Sequence, residues 1–413
     1  MSSSSIEGAE NGKKSFLTVK DKSASLDFLR KPAGLCGEAR PLSRLIFQGL
    51  GNWNVPFPSP WKNVTFGLPA TSAEVSGLMR GRNMTIKKWL LVLCVPAIAW
   101  AAGTNWSWSA GDHDYTVKMG GLLRHYTVHV PPGYNGKTVL PVVVMLHGGG
   151  GTSAAAATET GWSAKADQEG FLAVFPNALA RDPSKPGSFT CNPQLWNDGS
   201  DRFYPGQQAP DDVAFLNTML DELLAKFAVD ERRIFVTGFS NGASMTFRVG
   251  AELVRRIAAI APVAGACWLE PLKVGRPISM CYITGTADPL NLIGGGVPKL
   301  ATGASDKVRA KPKPPVRDSI LKWAKAIGCP VTPQKTSAAN GVRTEIYGPG
   351  RAGAEVVYIT VEGLGHTWAG GKSLLPEFMV GQRSAKLKAT DVLWDFFKRQ
   401  TSSAPIPVVK QRD

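Results

Sequence analysis

Past residue 120 the chain alternates short, uncharged apolar runs with longer segments whose apolar residues recur every three or four positions. The runs 126–130, 141–146 (PVVVML), 171–175, 234–236, 257–264 and 278–284 are short and mostly rich in β-branched residues, which predicts strands. Between them 154–168 and 241–253 predict helices, and a third helix starts at the capping pair Asp211 and Asp212. Its apolar face is predicted as Val213, Leu216, Leu220, Leu223, Leu224 and Phe227. A helix at 319–326, strands near 343–347 and 356–361, and a last helix around 389–398 complete the pattern. Strands that alternate with helices, and that are apolar throughout, belong to parallel sheets covered on both sides. The predicted fold is α/β, a mainly parallel central sheet with helices on both faces. Two stretches break the rhythm: 181–210, rich in Ser, Pro, Asn and Gly, and 294–317, with three consecutive Gly and the run KVRAKPKPPVR. The second is expected to be a solvated surface loop, with a lid or a contact to an anionic surface as the alternative.

The first hundred residues follow another logic. From Met84 the chain reads MTIKKWLLVLCVPAIAWAAG: two lysines, an uncharged stretch over 89–100, and small residues at Ala99 and Ala101. These are the three parts of a secretory signal, and the apolar stretch is too short to span a bilayer. The preceding 1–83 shows no sustained period of 2 or 3.6. It is expected to be a disordered leader or a mis-assigned start, with translation beginning at Met84 or Met79. Residues 84–101 are the expected signal peptide and 102–413 the catalytic domain, without stable membrane insertion once the signal is gone.

Charge supports this division. The formal net charge is +15, yet residues 1–101 carry 13 basic and 6 acidic side chains, so the remaining 312 residues hold only +8. Part of that sits in 307–317, so a surface feature explains the basic balance better than a nucleic-acid site does. Of six cysteines, Cys36 and Cys94 fall in the leader and signal; Cys191, Cys267, Cys281 and Cys329 remain, an even number that permits disulfides after export in any of three full pairings. No C-x-x-C pair or His/Cys cluster has metal-binding spacing, so neither metal nor cofactor is expected.

Gly238-Phe239-Ser240-Asn241-Gly242 follows the apolar strand RIFVT and precedes a helix. In that context G-x-S-x-G forms a sharp strand-to-helix turn that projects the serine hydroxyl, while the helix N-terminus aims its free N–H groups at a developing oxyanion. A serine nucleophile needs a base. Of the five histidines only His366 lies after Ser240, in a Gly-rich turn behind the strand VVYITV. Parallel-sheet serine hydrolases place the acid between the two. Among eight carboxylates there, Asp288 alone combines the end of an apolar strand (ISMCYIT) with a turn of small residues. His147 and the four glycines Gly148 to Gly151, directly after PVVVML, match loops that lend a backbone N–H to an oxyanion hole. The predicted donors are the amides of Gly149 and Asn241. A phosphate cradle is excluded because neither G-x-x-x-x-G-K-S/T nor G-x-G-x-x-G occurs there. Trp162, Trp196, Trp268 and Trp368 each adjoin a motif, and the last three are predicted to line a substrate site, with core packing as the alternative.

As a set, LHGGGG at 146–151, DDV at 211–213, VTGFSNGASM at 236–245, IAPVAGAC at 260–267, GTADPLN at 285–291 and GLGHTWAGG at 363–371 resemble the polyhydroxybutyrate depolymerase and feruloyl esterase group of secreted α/β-hydrolase esterases. The resemblance spans 122–397 and departs from the group at Ala369, where proline is common. It implies an α/β-hydrolase fold, a triad of Ser240, Asp288 and His366, a Cys191–Cys267 bridge, and secretion to the exterior or periplasm. The implied substrates are hydroxyalkanoate esters, or else feruloyl or acetyl esters of plant polysaccharide. A serine peptidase and a non-catalytic binding protein are the competing functions. Mass spectrometry of the natively produced protein is expected to recover peptides from Ala102 onward; peptides from residues 1–78 would overturn the start assignment.

Overall fold

The computed structural model describes residues 108–189, 191–202, 210–298 and 311–402, and among these ten strands form one sheet. The chain divides into two units, Met1–Ala101 and Ala102–Asp413. The segments expected to be leader and signal, 1–83 and 84–101 with Cys36 and Cys94, lie outside the described residues.

In chain order the strands are β1 (Gly111–Met119), β2 (Leu122–Val130), β3 (Leu140–Leu146), β4 (Leu172–Pro176), β5 (Val229–Phe239), β6 (Ala259–Val263), β7 (Ser279–Gly285), β8 (Lys335–Ala339), β9 (Val342–Tyr347) and β10 (Val356–Val361). Their order in the sheet is β1-β2-β4-β3-β5-β6-β7-β10-β9-β8. The six central strands, β4 to β10 in that order, run parallel, and antiparallel pairs close both edges. The helices are α1 (Ser153–Thr160), α2 (Trp162–Glu169), α3 (Asp212–Lys226), α4 (Asn241–Glu252), α5 (Val316–Ile327), α6 (Glu377–Val380) and α7 (Ala389–Phe397).

The uninterrupted apolar runs are explained by burial on two sides. Val142, Val144 and Leu146 of β3 point into one core with Phe215 of α3, Phe247 of α4 and Trp323 of α5. Val143 and Met145 point into the other, with Trp162 of α2 and Phe397 of α7. Successive side chains of a strand leave on opposite faces, so a strand with two cores has no polar position to spare.

The expected helix 154–168 is two helices. Gly161 adopts a left-handed conformation (φ 70°) that ends α1 and starts α2, swinging Trp162 edge-on to Phe171 and against Phe397. Strands β1 and β8 escaped prediction because only Val117 of β1 is buried and β8 is wholly exposed, which erases the apolar signal. Helix α5 begins at Val316, so Arg317 is not loop: it pairs with Glu345 of β9 at 3.0 Å. Residues 299–310 of the expected loop lie outside the described residues. No disulfide joins Cys191 to Cys267: Cys191 is exposed, while Cys267 is buried, its backbone N–H bound to Ser319 Oγ.

Helix α3 buries Phe215 and Met219 where Val213 and Leu224 were expected. The cause is an ion pair with no sequence signature. Asp212 is fully buried 2.5 Å from Arg124 Nη2 and accepts the Asn197 N–H at 2.7 Å; the Arg124 guanidinium lies 4.0 Å over the Phe215 ring. Anchoring Asp212 inward rotates the helix so that Phe215 follows it. Burial pushes the Asp212 carboxyl up, and Arg124 and Arg248 are the cations that hold it against that penalty. Removing the carboxylate leaves a buried guanidinium that cannot shed its proton. Asp212→Ala is therefore expected to destabilise the domain by about 3–5 kcal/mol in urea unfolding; a loss under about 1 kcal/mol would contradict the assignment.

Candidate active site

Ser240 occupies the single residue between β5 and α4, with φ 56° and ψ −116°. A non-glycine residue at positive φ is strained by about 1–3 kcal/mol and persists only where its surroundings hold it. The surroundings are the motif glycines. A Cβ on Gly242 would lie 2.2 Å from the Leu146 carbonyl oxygen and 2.4 Å from that of His147, at the end of β3. One on Gly238 would lie 2.3 Å from the Gly242 oxygen, and one on Gly265, after β6, 2.6 Å from the Ser240 oxygen. Only glycine permits these approaches, so the motif is a packing requirement before it is a chemical one.

The structure brings the three expected residues together. His366 Nε2 lies 2.8 Å from Ser240 Oγ, and His366 Nδ1 lies 2.7 Å from Asp288 Oδ2. Asp288 is 4% exposed, and its Oδ1 accepts the N–H groups of Leu290 and Asn291 at 2.8 and 2.7 Å. Burial opposes its charge, but His366 and these two amides outweigh it and hold the carboxyl below its usual range. Asn291 is tied in turn to the Tyr282 hydroxyl, which donates to the Gly265 carbonyl at 2.6 Å. The His366 turn is pinned to the segment around α6, through Gly365 N–H to Gln382 O and His366 N–H to Val380 O, and a Cβ on Gly365 would meet that Val380 oxygen at 2.3 Å. The ordered acid–base–hydroxyl chain can pass a proton from Ser240 to His366 while Asp288 carries the compensating charge.

The glycine loop faces the same hydroxyl. Gly150 and Gly151 give their amides to Gln194 O and Gly148 O, whereas among the described residues the Gly148 and Gly149 amides have no intramolecular partner. The Asn241 amide opens α4, where a helix has no internal acceptor for it. The Asn241 side chain, unremarked in the sequence, accepts Trp196 N–H at 2.8 Å and donates to Asp198 Oδ2 at 2.9 Å, fixing the 195–198 segment over the loop. His147 supports the loop from behind. Its Nε2 accepts the Ala178 N–H at 3.0 Å, which places the ring proton on Nδ1 and has it donate to Gly148 O at 2.7 Å.

A cavity of about 510 Å³ opens over Ser240, lined by Phe189, Leu195, Phe239, Trp368 and Leu374 among others. The tryptophans divide. Trp368 lines the cavity, with its indole N–H on Thr390. Trp196 does not: it is 1% exposed and donates to His147 O, a buried prop of the loop. Trp268 is also off the cavity wall, beneath the Arg202 guanidinium at 4.6 Å, and Trp162 is core. Glu159 of α1, which carried no motif, reaches the cavity and accepts the Leu374 N–H at 3.0 Å; burial pushes its carboxyl up.

The parallel sheet, the strand-to-helix turn at Ser240 and the chain order Ser240, Asp288, His366 are those of an α/β-hydrolase fold. Comparison with known proteins agrees: the phospholipase/carboxylesterase family matches residues 135–291. NocK of Nocardia uniformis subsp. tsuyamanensis, which carries an esterase name, is 28% identical over 68% of this chain and 80% of its own. Feruloyl esterase B of Piromyces equi is 27% identical over 60% of this chain, and poly(3-hydroxyalkanoate) depolymerase C of Paucimonas lemoignei 25% over 58%. The chain spans 44% and 57% of the lengths of those two relatives. The protein is a carboxylic-ester hydrolase of the α/β-hydrolase fold, similar to feruloyl esterases and poly(3-hydroxyalkanoate) depolymerases.

His147 is expected to make the stability of the fold depend on pH. Complete burial lowers its pKa from 6.5 to about 4, the Gly148 bond opposing and Arg124 assisting the shift. A folded-state pKa below the unfolded one means stability is complete above pH 6.5 and is lost as pH falls toward 4. The expected loss is up to about 3 kcal/mol from this group. Unfolding measured from pH 7 to pH 4.5 checks it: His147→Asn should be less stable at pH 7 and show a shallower decline. A parallel decline in both proteins would rule His147 out as the source.

Proposed function

We propose that the protein is an exported serine esterase in which Ser240 is the nucleophile, His366 the general base and acid, and Asp288 the residue that orients and compensates the imidazole. The observation that carries this reading is the continuous hydrogen-bond chain of 2.8 and 2.7 Å through His366. His366 takes the Ser240 proton as Oγ attacks the ester carbonyl, and the amides of Gly149 and Asn241 hold the oxyanion. His366 then protonates the leaving alcohol, and water releases the acyl group from Ser240 by the same route. No step calls for a metal or a cofactor.

The preferred substrates are oligomers or polymer of 3-hydroxyalkanoate, supported by the depolymerase relative and by the apolar part of the cavity wall, with Leu195, Phe239, Leu374 and Leu375, suited to a short aliphatic chain. A feruloyl or acetyl esterase acting on plant polysaccharide is the second reading, supported by the feruloyl esterase relative. Trp368 is the aromatic wall available to either acyl group. Export rests on the signal-like segment after Met84.

The test is a panel of 4-nitrophenyl butyrate, 3-hydroxybutyrate oligomers, methyl ferulate and a peptide amide, together with labelling by a fluorophosphonate. Ser240→Ala and Asp288→Asn are expected to lower kcat/KM by a factor of about 10⁴ or more while leaving the fold intact, and Ser240→Ala to abolish labelling. Hydrolysis of the amide alone, or a Ser240→Ala protein within about tenfold of the parent, would refute the assignment.

A further inference from the structure

The charged residues on the cavity wall are unbalanced. Among the described residues, Arg202, Lys311 and Lys313 face it against a single carboxylate, Glu159. Glu159 is engaged by the Leu374 N–H, and its burial favours the neutral acid. The cations come from two other segments. Arg202 is partly compensated, with Nη2 3.6 Å from Asp198 Oδ2 and Nε on Ser200 Oγ at 3.0 Å. Lys311 Nζ donates to the Ser200 carbonyl at 3.1 Å, a neutral acceptor that leaves its charge intact. The Lys313 ammonium has no hydrogen-bond or ion-pair partner among the described residues, although its backbone is locked to Gly296 by two hydrogen bonds of 2.9 Å. Burial, with Arg202 adding to it, pulls Lys313 down to about 8, against the attraction of Asp288 and Asp198. A cation held partly out of water without a counter-ion is unfavourable until an anion reaches it. This one lines the cavity that admits substrate, so the anion it awaits is part of the substrate.

We propose that Arg202, Lys311 and Lys313 form a subsite for a carboxylate carried by the substrate, so that the enzyme prefers hydroxyacid oligomers with a free acid end over neutral esters of equal size. The proposal rests on the Ser240 esterase reading and narrows its substrate class. A hydroxyacid oligomer has one carboxylate at its acid end, whereas a polysaccharide-bound hydroxycinnamoyl ester has none. Charge-assisted hydrogen bonds from lysine and arginine would hold that carboxylate while the neighbouring ester lies over Ser240.

The experiment compares the 3-hydroxybutyrate dimer as free acid with the same dimer as its terminal primary amide, which keeps the scissile ester and removes the charge. The acid is expected to be preferred in kcat/KM by about tenfold or more, as a charge-assisted contact supplies. Lys313→Met and Lys311→Met should each lower the acid-to-amide ratio at least about threefold, and Lys313→Arg should retain it. A residue that merely tuned Asp288 and His366 would change both rates together and leave the ratio unmoved. Lys311 is exposed, so its variant carries the test if Lys313→Met does not fold. A ratio near one in the parent enzyme, or an unchanged ratio in both methionine variants, would overturn the subsite while 4-nitrophenyl butyrate is still cleaved. Failure to cleave any ester would overturn the esterase reading itself.

Discussion

The site depends on one close approach: the first turn of α4 pressed against the end of β3, with Gly242 lying under the carbonyls of Leu146 and His147. That contact sets the distance between the strand bearing the Ser240 turn and the strand bearing the glycine loop. Ser240, its hydroxyl raised by a strained backbone, and the amides of Gly148 and Gly149, which have no partner among the described residues, are thereby brought to the same point above the sheet. The strain at Ser240 is sustained because β5 is hydrogen-bonded to parallel neighbours on both sides and cannot shift to relieve it.

Around that contact Asp288, His366 and His147 each have a separate support. Asp288 is held by amides of its own turn and by the Asn291–Tyr282–Gly265 relay, which ties the acid to the end of β6. His366 is held by the segment around α6, and His147 by Ala178 and Gly148. In a dry interior an unsatisfied polar group costs more than its hydrogen bond gains, so such supports determine the geometry closely. Lys313 differs from these three. The Lys313 ammonium has no hydrogen-bond or ion-pair partner among the described residues, and it stands on the wall of the cavity over Ser240.

Much of this was legible in the sequence, and the reason is locality. The central strands could be read because burial on both faces removes polar residues from them; the Ser240 turn and the glycine loop could be read because their backbone geometry demands glycine at fixed offsets. Asp288 and His366 were found by chain order and by the turns that carry them. The tryptophans were not resolved: four indoles adjoined motifs, yet only Trp368 lines the cavity, since the burial of an aromatic is decided by partners far away in the chain, as His147 decides it for Trp196. The rotation of α3 was missed for the same reason, as Arg124 stands 88 residues from Asp212.

The sequence by itself determined the α/β architecture, the two-sided core, and the turns that carry Ser240, Asp288 and His366, because each is encoded by neighbours within a turn or a strand. Tertiary structure alone decided which candidates meet, at what distances, which tautomer His147 adopts, and that three cations from two segments converge on one cavity. These depend on through-space contacts between segments tens to hundreds of residues apart, and no local pattern of hydrophobic and polar positions records them.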